Sequence, residues 1–545
     1  MAKRRRFDRT RVFLVALVVA AVFAARPACA GLDEYVKKPD PSFAWAETGT
    51  LNAPGGTITT LALTSQVWQG ITWKHELTVY HPSELSHPDA MLLSITGGDH
   101  KSKQNDDDHK RGLMLAHLCG ARVAVLRQVP NQPLLGDKKE DELIAETFVR
   151  YLQTKDEDWP LLFPMTKSAV RAMDALQAFG KEKQKPVNRF VVTGGSKRGW
   201  TTWLTGAVDD RVIAIAPMVI VMLNVEKQGP NQMKVWGKYS EQINDYVERG
   251  LTQKTDTPEA TKLWKMVDPL TYRDRLTEPK LLVNGSNDRY WTLNALDFYW
   301  SELKGPKYLV ELPNAGHGLD ANRDWAMGGL GAFFRHVVSD RRMPDVKWEL
   351  VRAAGGESML TIHATPAPLS ARIWKARIGY DLRLLPSLKD VADMPAKGKD
   401  LVVVAAVDNV LQFRIFDGEG NVVVDTDEAK LSKQSRRVDD VRNRLARLGT
   451  IRKLADGEKE QIIVAVTSLF GQSARSEHRD FRESHWESTP LKPGETITVY
   501  VPKVSAGHVA LFGELEYKID GIPYHLTTSF LEPGVAMPVS DSTKP

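Results

Sequence analysis

One ten-residue segment combines an apolar run, two glycines and a serine in an order that could prepare the serine for nucleophilic attack. Val191–Trp200 reads VVTGGSKRGW, so a predicted buried strand runs through Gly194 and Gly195 into Ser196 and then directly into a predicted helix. A serine in such a tight turn has a strained backbone, which needs small neighbours and lifts the hydroxyl above the sheet. The segment therefore predicts Ser196 as a nucleophile, with the backbone N–H of Lys197 as an oxyanion donor.

The fit to the usual nucleophile pattern, Gly-x-Ser-x-Gly, is incomplete. Arg198 stands at the second position after the serine, and the expected glycine follows one residue later as Gly199. Taken alone, the segment is also compatible with a plain alternative, in which Ser196 only caps a helix after a buried strand. Residues elsewhere in the chain have to decide between the two interpretations.

An aspartate and a histidine follow two further apolar runs. Asp288 comes shortly after Leu281–Val283, and His317 comes shortly after Tyr308–Leu312. The carboxyl ends of parallel strands meet at one edge of a sheet, so both residues should lie at the edge where Ser196 emerges. The chain order Ser, Asp, His occurs in known catalytic triads. We therefore predict that His317 accepts the Ser196 proton, while Asp288 orients the imidazole and stabilises its cation.

The second oxyanion donor is expected in the loop after the apolar run Met91–Thr96, at the backbone of Gly97 and Gly98. Glycine there lets the backbone approach a substrate closely, although a plain turn explains the two glycines nearly as well. The side chains of Lys197 and Arg198 could add positive charge beside the site, or they could be solvated at the start of a helix.

Short apolar runs alternate with helical patterns between residues 57 and 337. This alternation predicts a mostly parallel sheet covered on both faces by helices, preceded by two antiparallel strands. Together these elements predict the α/β-hydrolase fold over residues 31–342, with a helical cap at about residues 223–279. The predicted strands are Thr57–Leu63, His75–His81, Met91–Thr96, Ala121–Leu126, Phe190–Thr193, Val212–Ala216, Leu281–Val283 and Tyr308–Leu312, and the predicted helices are Arg111–Leu118, Met165–Phe179, Trp200–Ala207 and Trp325–Val337.

The pattern changes after residue 344. Strand-like runs follow with little helix between them, which predicts a small β-sandwich over residues 345–376 and 475–545. Residues 377–474 interrupt it as an inserted α+β module, with two helices near residues 438–448 and 458–470. The predicted strands are Val346–Val351, Ser358–His363, Ala371–Ala376, Thr496–Val501, His508–Tyr517 and Tyr524–Ser529 in the sandwich, and Leu401–Val407, Leu411–Phe416 and Val422–Val424 in the insertion.

The first 30 residues have the pattern of a secretory signal. A basic start is followed by 14 uninterrupted apolar residues, Val12–Ala25, fewer than the roughly 20 that a membrane span needs. Ala28 and Ala30 supply small residues for a cleavage site, so the exported chain should begin near Gly31 and be periplasmic or extracellular. An uncleaved anchor is the alternative, and a lipoprotein at Cys29 is disfavoured because the apolar residue of a lipobox is missing. No later segment approaches the length of a membrane span.

Composition and charge narrow the classes of function. The chain has 545 residues, of which 42% are hydrophobic and 26% charged, an ordinary globular composition. Its formal net charge of +5 arises from residues 1–30, which hold seven of the 73 basic residues and one of the 68 acidic ones, leaving 66 and 67 in the remainder. A near-neutral body lacks the basic face that a nucleic-acid partner requires.

Neither a disulfide nor a metal site is expected in the exported chain, and no cofactor is implied. Cys29 leaves with the signal, and Cys119 lies in the apolar stretch Leu113–Leu126, which predicts a buried thiol rather than a nucleophile. The cluster Asn105–His109 lacks the spacing of a calcium loop and is expected to be a solvated acidic loop.

Several motifs together resemble the PhoPQ-activated pathogenicity-related proteins, a family of exported α/β-hydrolase-like proteins. The similarity runs from about residue 32 to residue 376 and resumes near residue 475, whereas residues 377–474 look foreign to the family pattern. The family has a Gly-Asp-Glu-Phe-like run at the acid, which reads NDRY here, so Asp288 is retained with altered neighbours. The motifs are Val129–Leu134, Asp158–Lys167, Gly195–Trp200, Val267–Arg273, Pro313–His317 and Asp480–Arg482 with Trp486.

The resemblance implies a hydrolase fold and, less firmly, a reaction. Members of the family look like serine hydrolases and also resemble the hydrolase domains of prolyl peptidases. With the predicted triad, this favours an exported serine hydrolase that cleaves an ester through an acyl-enzyme, or else a peptidase. The alternative is a non-catalytic secreted binding or signalling protein on a hydrolase scaffold, with the C-terminal sandwich or the insertion as the surface for a protein partner.

Overall fold

A computed structural model describes residues 30–253, 256–352, 356–378, 401–407, 410–416, 422–430, 479–503 and 508–533. The predicted signal lies outside these ranges apart from its last residue, and so do the predicted helices near residues 438–448 and 458–470. No helix in the described ranges has the length and the apolar character that crossing a lipid bilayer would require.

A nine-stranded mixed sheet is the centre of the molecule. Its strands are β1 (Ala44–Ala53), β2 (Gly56–Trp68), β3 (Ile71–Pro82), β4 (Ala90–Ile95), β5 (Arg122–Leu126), β6 (Arg189–Gly195), β7 (Val212–Met218), β8 (Lys280–Gly285) and β9 (Lys307–Leu312). Their order is β1-β2-β3-β5-β4-β6-β7-β8-β9. Strands β5, β4, β6, β7, β8 and β9 run parallel to one another. Strands β1, β2 and β3 form an antiparallel meander at one end of the sheet. This topology confirms the predicted α/β-hydrolase fold.

Helices cover both faces of the sheet. They are α1 (Ala30–Lys37), α2 (Asp106–Cys119), α3 (Glu140–Thr154), α4 (Leu162–Glu182), α5 (Lys197–Val208), α6 (Val225–Trp236), α7 (Asn244–Glu248), α8 (Pro258–Val267) and α9 (Arg323–Val338). Alternate residues of β6 enter opposite cores, because successive side chains of a strand point to opposite faces. Phe190 and Val192 pack in the core that contains Trp203 of α5, whereas Val191 packs in the core that contains Phe333 of α9.

Three elements of the hydrolase domain, namely α1, β1 and α3, are absent from the sequence-based prediction. Strand β1 adds a third antiparallel strand, but almost all of its residues are exposed, so it lacks the apolar alternation that identifies β2 and β3. The N-cap residue of helix α3 is Lys139, which makes no side-chain capping hydrogen bond, so the usual start signal is missing. The predicted cap region is helical, since α6, α7 and α8 all lie between β7 and β8.

The acidic cluster at residues 105–109 was predicted to be a loop, and this prediction is wrong, because the cluster forms the start of helix α2. Asn105 is the N-cap, and its side chain accepts a hydrogen bond from the N–H of Asp108 at 2.9 Å. The Asp108 carboxylate accepts in turn from the N–H of Asn105 at 3.0 Å, which completes a capping box. The acidic side chains thus stabilise a helix N-terminus. Cys119 ends the same helix as a buried free thiol, which confirms that prediction.

The described residues of the C-terminal region form three separate antiparallel sheets, which is consistent with the predicted sandwich and insertion. One has the order β10-β11-β17, the second β16-β12-β18-β19 and the third β13-β14-β15. Only β16 was not predicted, because its sequence ESTPL has no apolar alternation. The strands are β10 (Asp345–Arg352), β11 (Ser358–Thr365), β12 (Ser370–Ile378), β13 (Leu401–Val407), β14 (Val410–Phe416), β15 (Val422–Lys430), β16 (Glu487–Leu491), β17 (Thr496–Val501), β18 (His508–Ile519) and β19 (Ile522–Thr527).

The first two of these sheets face each other and contact the hydrolase domain. Ile362 of β11 packs against Gly513 of β18, where a Cβ atom would lie only 2.4 Å from the isoleucine Cδ1. Thr527 of β19 accepts a hydrogen bond from the N–H of Glu311 in β9 at 3.0 Å. The C-terminal sandwich is therefore joined directly to the last strand of the central sheet.

Glu311 is a buried acid with an incomplete set of hydrogen bonds. One carboxyl oxygen lies 3.4 Å from the Asn284 side-chain nitrogen, and the other has no partner among the described residues. Burial disfavours the carboxylate and raises the pKa of Glu311 to about 8, and the Asp288 carboxylate adds to the increase. Glu311 is therefore protonated in the folded protein at neutral pH.

We predict that Glu311→Gln makes the protein more stable than the wild type by an amount that grows with pH. Between about pH 5 and pH 8 the unfolded chain loses the Glu311 proton and the folded chain keeps it, so wild-type stability falls by up to roughly 1.4 kcal/mol per pH unit from this group. Glutamine does not titrate, so the variant lacks this pH-dependent loss of stability. Denaturant midpoints of both proteins at pH 5, 6, 7 and 8 check this, and a constant difference across the series contradicts it.

Candidate active site

Ser196 occupies a strained turn between β6 and α5. Its backbone angles are φ 58° and ψ −127°, a positive φ that a non-glycine residue rarely adopts. The turn is held from both sides, because the Ser196 N–H donates to the Met218 carbonyl and its carbonyl accepts from the Trp200 N–H, both at 2.9 Å. This is the geometry expected of a nucleophile elbow, and it argues against Ser196 as an ordinary capping residue.

Two glycines let the chain close this turn. A Cβ atom at Gly194 would lie 2.7 Å from the carbonyl oxygen of Arg198, and one at Gly199 would lie 2.9 Å from the carbonyl oxygen of Gly194. The close approach therefore needs glycine at positions 194 and 199, and the second of these glycines lies one residue later than in the usual pattern. Arg198 is tolerated inside the motif because its side chain extends away to Val129 and Glu140.

Asp288 and His317 form a direct pair. The Asp288 Oδ2 atom lies 2.8 Å from the His317 Nδ1 atom, and its Oδ1 atom accepts a hydrogen bond from the Tyr290 N–H at 2.9 Å. Both oxygens of this buried carboxylate are thus engaged. The arrangement orients the imidazole with Nδ1 toward the acid and leaves Nε2 for another partner.

All three predicted residues lie at one edge of the sheet, but a hydrogen bond joins only Asp288 and His317. Ser196, Asp288 and His317 follow the parallel strands β6, β8 and β9. The His317 Nε2 atom is buried without a hydrogen-bond partner among the described residues, so it does not bond the Ser196 hydroxyl in this state. A side-chain movement must close this gap before a proton can pass between the two residues.

The loop predicted to supply the second oxyanion donor lies next to the serine turn. Strand β4 pairs with β6 so that Ile95 is opposite Gly194, which places Gly97 and Gly98 beside the elbow. The Arg198 guanidinium packs on Gly97, where a Cβ atom would lie 2.3 Å from Nη2. The close approach explains why residue 97 is glycine. The role of the backbone N–H groups at 97 and 98, like that of Lys197, stays a prediction.

Buried ion pairs lie behind the serine. Lys197 and Arg198 are almost fully buried, so the interpretation of solvated side chains is wrong. The Arg198 guanidinium contacts both oxygens of Glu140 at 2.7 Å, while Lys197 lies 2.9 Å from Glu140 and 3.3 Å from Asp141. Burial alone would raise the pKa of Glu140, but the Arg198 hydrogen bonds and the two positive charges hold that pKa well below its usual value. The cluster is therefore close to neutral overall.

Tyr290 connects this ion-pair cluster to the histidine. Its ring lies on the His317 imidazole, with 4.2 Å between the ring centroids. Its hydroxyl donates to the Asp141 carboxylate at 3.1 Å, and Tyr246 donates to the same carboxylate at 3.0 Å. Burial and the Asp141 charge both raise the pKa of Tyr290, so the phenol keeps its proton. Tyr290 therefore fixes the position of the imidazole face relative to helix α3.

A segment from the C-terminal region holds the loops that carry Asp288 and His317. We call residues 479–486 the brace. Asn314, three residues before the histidine, donates to the Trp486 carbonyl at 3.0 Å and accepts from the Trp486 N–H at 2.7 Å. Asn287, next to Asp288, donates to the carbonyl of Ser484 at 2.7 Å. The loops that carry Asp288 and His317 are thus fixed by residues distant in the chain.

The brace is itself fixed by charged contacts with the cap. Its Arg482 binds Asp480 with two hydrogen bonds at 2.6 and 2.8 Å, and its guanidinium lies over the ring of Trp236 in α6 at 4.0 Å. The same guanidinium lies 3.1 Å from Glu241. The Arg482 side chain is 8% exposed and that of Asp480 is 27% exposed, so solvent screens this charge-assisted pair only in part.

Sequence reasoning singled out Ser196, Asp288 and His317, and it missed the residues that contact them. No pattern singled out Glu140, Asp141 or Tyr290, whose partners are distant in sequence. A signal for the brace was present, however, because Asp480–Arg482 and Trp486 were among the motifs of the family resemblance. Among the described residues, no group of three or more His, Cys, Asp or Glu side chains could hold a metal ion.

The sheet topology, the elbow serine and the aspartate–histidine pair define an α/β-hydrolase-fold protein. The chain belongs to the PhoPQ-activated pathogenicity-related protein family, whose sequence model matches residues 32–383. A similar protein is Autocrine proliferation repressor protein A of Dictyostelium discoideum. It is 30% identical over 383 residues, which cover 67% of this chain and 76% of that protein.

Solved structures with a related fold include two esterases. Acetyl xylan esterase 1 from Thermoanaerobacterium sp. JW/SL YS485 is 15% identical, with a TM-score of 0.41, over 57% of this chain and 95% of that one. A glucuronoyl esterase from Solibacter usitatus is 15% identical, with a TM-score of 0.36, over 58% of this chain and 93% of that one. Such distant similarity says nothing about the reaction of this chain.

We predict that Asn314→Gly weakens the brace and slows chemistry at Ser196. Glycine tolerates the positive φ of 57° at this position, so the variant removes the two hydrogen bonds to Trp486 without adding backbone strain. Loss of these bonds should destabilise the protein by about 1–3 kcal/mol. Because the histidine loop loosens, Ser196 should react about tenfold more slowly with a fluorophosphonate, given the sensitivity of catalysis to small misplacements.

Asp137→Gly is the matched control, since Asp137 is exposed and also has a positive φ, of 69°. The thermal midpoint and the second-order rate of modification are measured for both variants. An unchanged rate in the folded Asn314→Gly protein would show that the brace does not position the histidine.

Proposed function

We propose that this protein is a serine hydrolase that cleaves carboxylic esters through an acyl-enzyme, with Ser196, His317 and Asp288 as its triad. The observation that carries the proposal is the combination of a strained Ser196 turn with an Asp288–His317 hydrogen bond at the same sheet edge. Strain of this kind is retained only where surrounding structure enforces it, and it is typical of catalytic nucleophiles.

In the proposed reaction the Ser196 oxygen attacks the ester carbonyl while its proton passes to His317 Nε2. The Lys197 N–H, at the start of α5, and an N–H of the Gly97-Gly98 loop stabilise the resulting oxyanion. The imidazolium then gives its proton to the departing alcohol, which leaves an acyl group on Ser196. Water, deprotonated by His317, releases the acid and restores the serine. Asp288 stabilises the imidazolium throughout.

The buried and unpaired His317 Nε2 atom fits this sequence of steps. A buried nitrogen without a hydrogen bond costs free energy. A side-chain rotation that brings the Ser196 hydroxyl to His317 Nε2 removes this cost, and substrate that excludes water from the site strengthens the preference for it. Catalytic hydrogen bonds are often long in the absence of substrate and shorten in the complex. We therefore place the completion of the triad at substrate binding.

The second candidate function is a non-catalytic regulatory protein on the same scaffold. Two observations favour it: the serine and the histidine are not hydrogen-bonded in this state, and a relative that is 30% identical bears the name Autocrine proliferation repressor protein A. In that case the C-terminal sandwich or the insertion would bind a protein partner. Fold alone does not decide between the two functions.

We predict that wild-type protein is labelled covalently by a fluorophosphonate and that Ser196→Ala is not. The reagent requires an activated serine, and removal of the nucleophile should abolish labelling, with a loss of at least about 1,000-fold. Ser301→Ala is the matched control, because Ser301 is exposed and does not line the cavity beside Ser196, and this variant should label normally. Absence of labelling in folded wild-type protein would favour the regulatory function.

Substrate assays on the wild-type protein distinguish an esterase from a peptidase. Turnover of 4-nitrophenyl esters is compared with cleavage of aminoacyl 4-nitroanilides, including those with proline at the cleaved bond. The proposal expects faster turnover of the esters beyond their intrinsically greater reactivity. Preferential cleavage of the anilides would assign the site to a peptidase.

We also propose that the protein is exported by means of residues 1–30 and cleaved after Ala30. Support comes from the apolar segment Val12–Ala25 and from helix α1, in which Leu32 is fully buried in the core of the hydrolase domain. Cleavage before Gly31 would leave this buried residue in the released chain. The exported protein would be periplasmic or extracellular.

We predict that protein recovered from outside the cytoplasm begins at Gly31. Full-length chain is expressed with its first 30 residues in a bacterial host, and the N-terminal sequence is determined by mass spectrometry of the secreted or periplasmic fraction. Deletion of residues 2–30 should leave the protein in the cytoplasm. Recovery of the intact N-terminus in the membrane fraction would support an uncleaved anchor instead.

A further inference from the structure

A cavity of about 160 Å³ opens beside Ser196. Part of its wall comes from the hydrolase domain, including Trp200 of α5 and Ile220 and Met222 after β7. The other part comes from the cap, including Tyr246 of α7 and Trp264 of α8. These side chains present apolar surface, and most of them are buried. The cap thus encloses an apolar space directly at the proposed nucleophile.

The polar side chains of the wall are mostly occupied with the protein itself. Gln228 donates to the carbonyls of Leu223 and Ala295, at 2.9 and 3.2 Å. Gln232 donates to the Tyr290 carbonyl at 2.9 Å and accepts from the Ser240 N–H at 2.9 Å. These amides have no need of a ligand, so they give the cavity little selectivity for polar groups.

Two of the three charged groups of the wall balance each other, and the third, Glu226, is exposed to solvent. Lys197 and Asp141 both line the cavity, and they form an ion pair at 3.3 Å that Glu140 extends. A substrate ammonium or carboxylate would have to disrupt this pairing to gain a partner, at the expense of leaving a buried charge behind. The electrostatics therefore favour an uncharged occupant. The Thr252 hydroxyl differs from these groups, because it is buried without a partner among the described residues.

The position of the cavity shows which half of an ester it would hold. Ser196 and Lys197, the proposed nucleophile and oxyanion donor, line it, whereas His317 is not among its described lining residues. The leaving alcohol must lie next to His317 Nε2, because that atom protonates it. The space on the opposite side of the carbonyl carbon holds the acyl group. The cavity is thus on the acyl side of the reaction centre.

We propose that this cavity is an acyl-binding pocket for uncharged, apolar acyl groups the size of an aromatic ring or a six-carbon chain. This inference rests on the proposed function. The volume sets the size, since a dry cavity of about 150 Å³ in an engineered protein holds benzene. An acetyl group would leave most of the pocket empty, whereas a larger acyl group buries apolar surface in it. The substrates are therefore esters of medium-chain or arylalkanoic acids rather than acetates.

Gly229 provides a direct way to fill the pocket. It lies on α6 and lines the cavity, and a Cβ atom there would lie 3.5 Å from the nearest ring atom of Tyr239, an ordinary contact. Gly229→Leu therefore adds an apolar side chain at the pocket without a backbone clash, and it also favours the helix. Lys227→Leu is the matched control, because Lys227 is exposed on the same helix and is not one of the lining residues.

The experiment measures kcat/KM for 4-nitrophenyl acetate, hexanoate and phenylacetate, each divided by its rate of hydroxide hydrolysis. For the wild type we expect hexanoate and phenylacetate to exceed acetate by at least about tenfold, since each buried methylene contributes to binding. Gly229→Leu should reduce this ratio about tenfold or more, and Lys227→Leu should leave the ratio as in the wild type. A second variant, Tyr239→Ala, enlarges the pocket and should raise the ratio of octanoate to hexanoate.

Two results would overturn the inference. One is a wild type that prefers acetate. The other is a ratio of acyl-chain preference that neither Gly229→Leu nor Tyr239→Ala changes, although thermal denaturation shows that both variants are folded. Failure of the proposed function is a different result, since the folded wild type would then hydrolyse no ester and Ser196 would not react with a fluorophosphonate. That outcome rejects both claims, whereas normal Ser196 labelling with the wrong acyl preference rejects only the pocket.

Discussion

The site depends on one constraint: its three loops emerge where the regular hydrogen bonding of the sheet ends. Strands β6, β8 and β9 run parallel, so Ser196, Asp288 and His317 reach the same edge. Beyond that edge the backbone needs other partners for its polar groups. The Met218 carbonyl holds the serine turn, and the side chain of Asn314 binds Trp486 from the C-terminal region. The end of β7 and the C-terminal region thus hold the loops where the proposed chemistry takes place.

This constraint explains why the family motifs occur where they do. Val129 accepts a hydrogen bond from Arg198 at 2.6 Å, and Gln132 exchanges hydrogen bonds with Glu140 at 2.6 and 2.9 Å. The motif around residues 129–134 therefore supports the serine loop from behind. The motif that contains Trp486 supports the histidine loop from the other side. Both motifs therefore position the loops that carry the proposed catalytic groups.

The sequence was sufficient for the parts whose signal is local. Buried strands such as β6 and β9 were predicted from apolar runs, and the position of Ser196, Asp288 and His317 at one sheet edge was predicted because they follow such runs. Strand β1 was missed because an exposed edge strand has no apolar alternation. Glu140 and the brace could not be assigned a role, because an ion pair or an amide contact between distant residues leaves no periodic pattern. Tyr290 was missed for the same reason, since its partners Asp141 and His317 lie far away in the chain.

The structure of the protein after reaction with an alkyl fluorophosphonate tests the central claim most directly. The account predicts phosphorus bonded to Ser196 Oγ, one phosphoryl oxygen within hydrogen-bond distance of the Lys197 N–H, and the alkyl chain pointing away from His317 into the cavity beside Trp200. It also predicts that His317 Nε2 moves toward the adduct while the Nδ1–Asp288 hydrogen bond persists. An adduct on another residue, or an imidazole that stays away from the bound phosphonate, would contradict the assignment of these three side chains to one catalytic site.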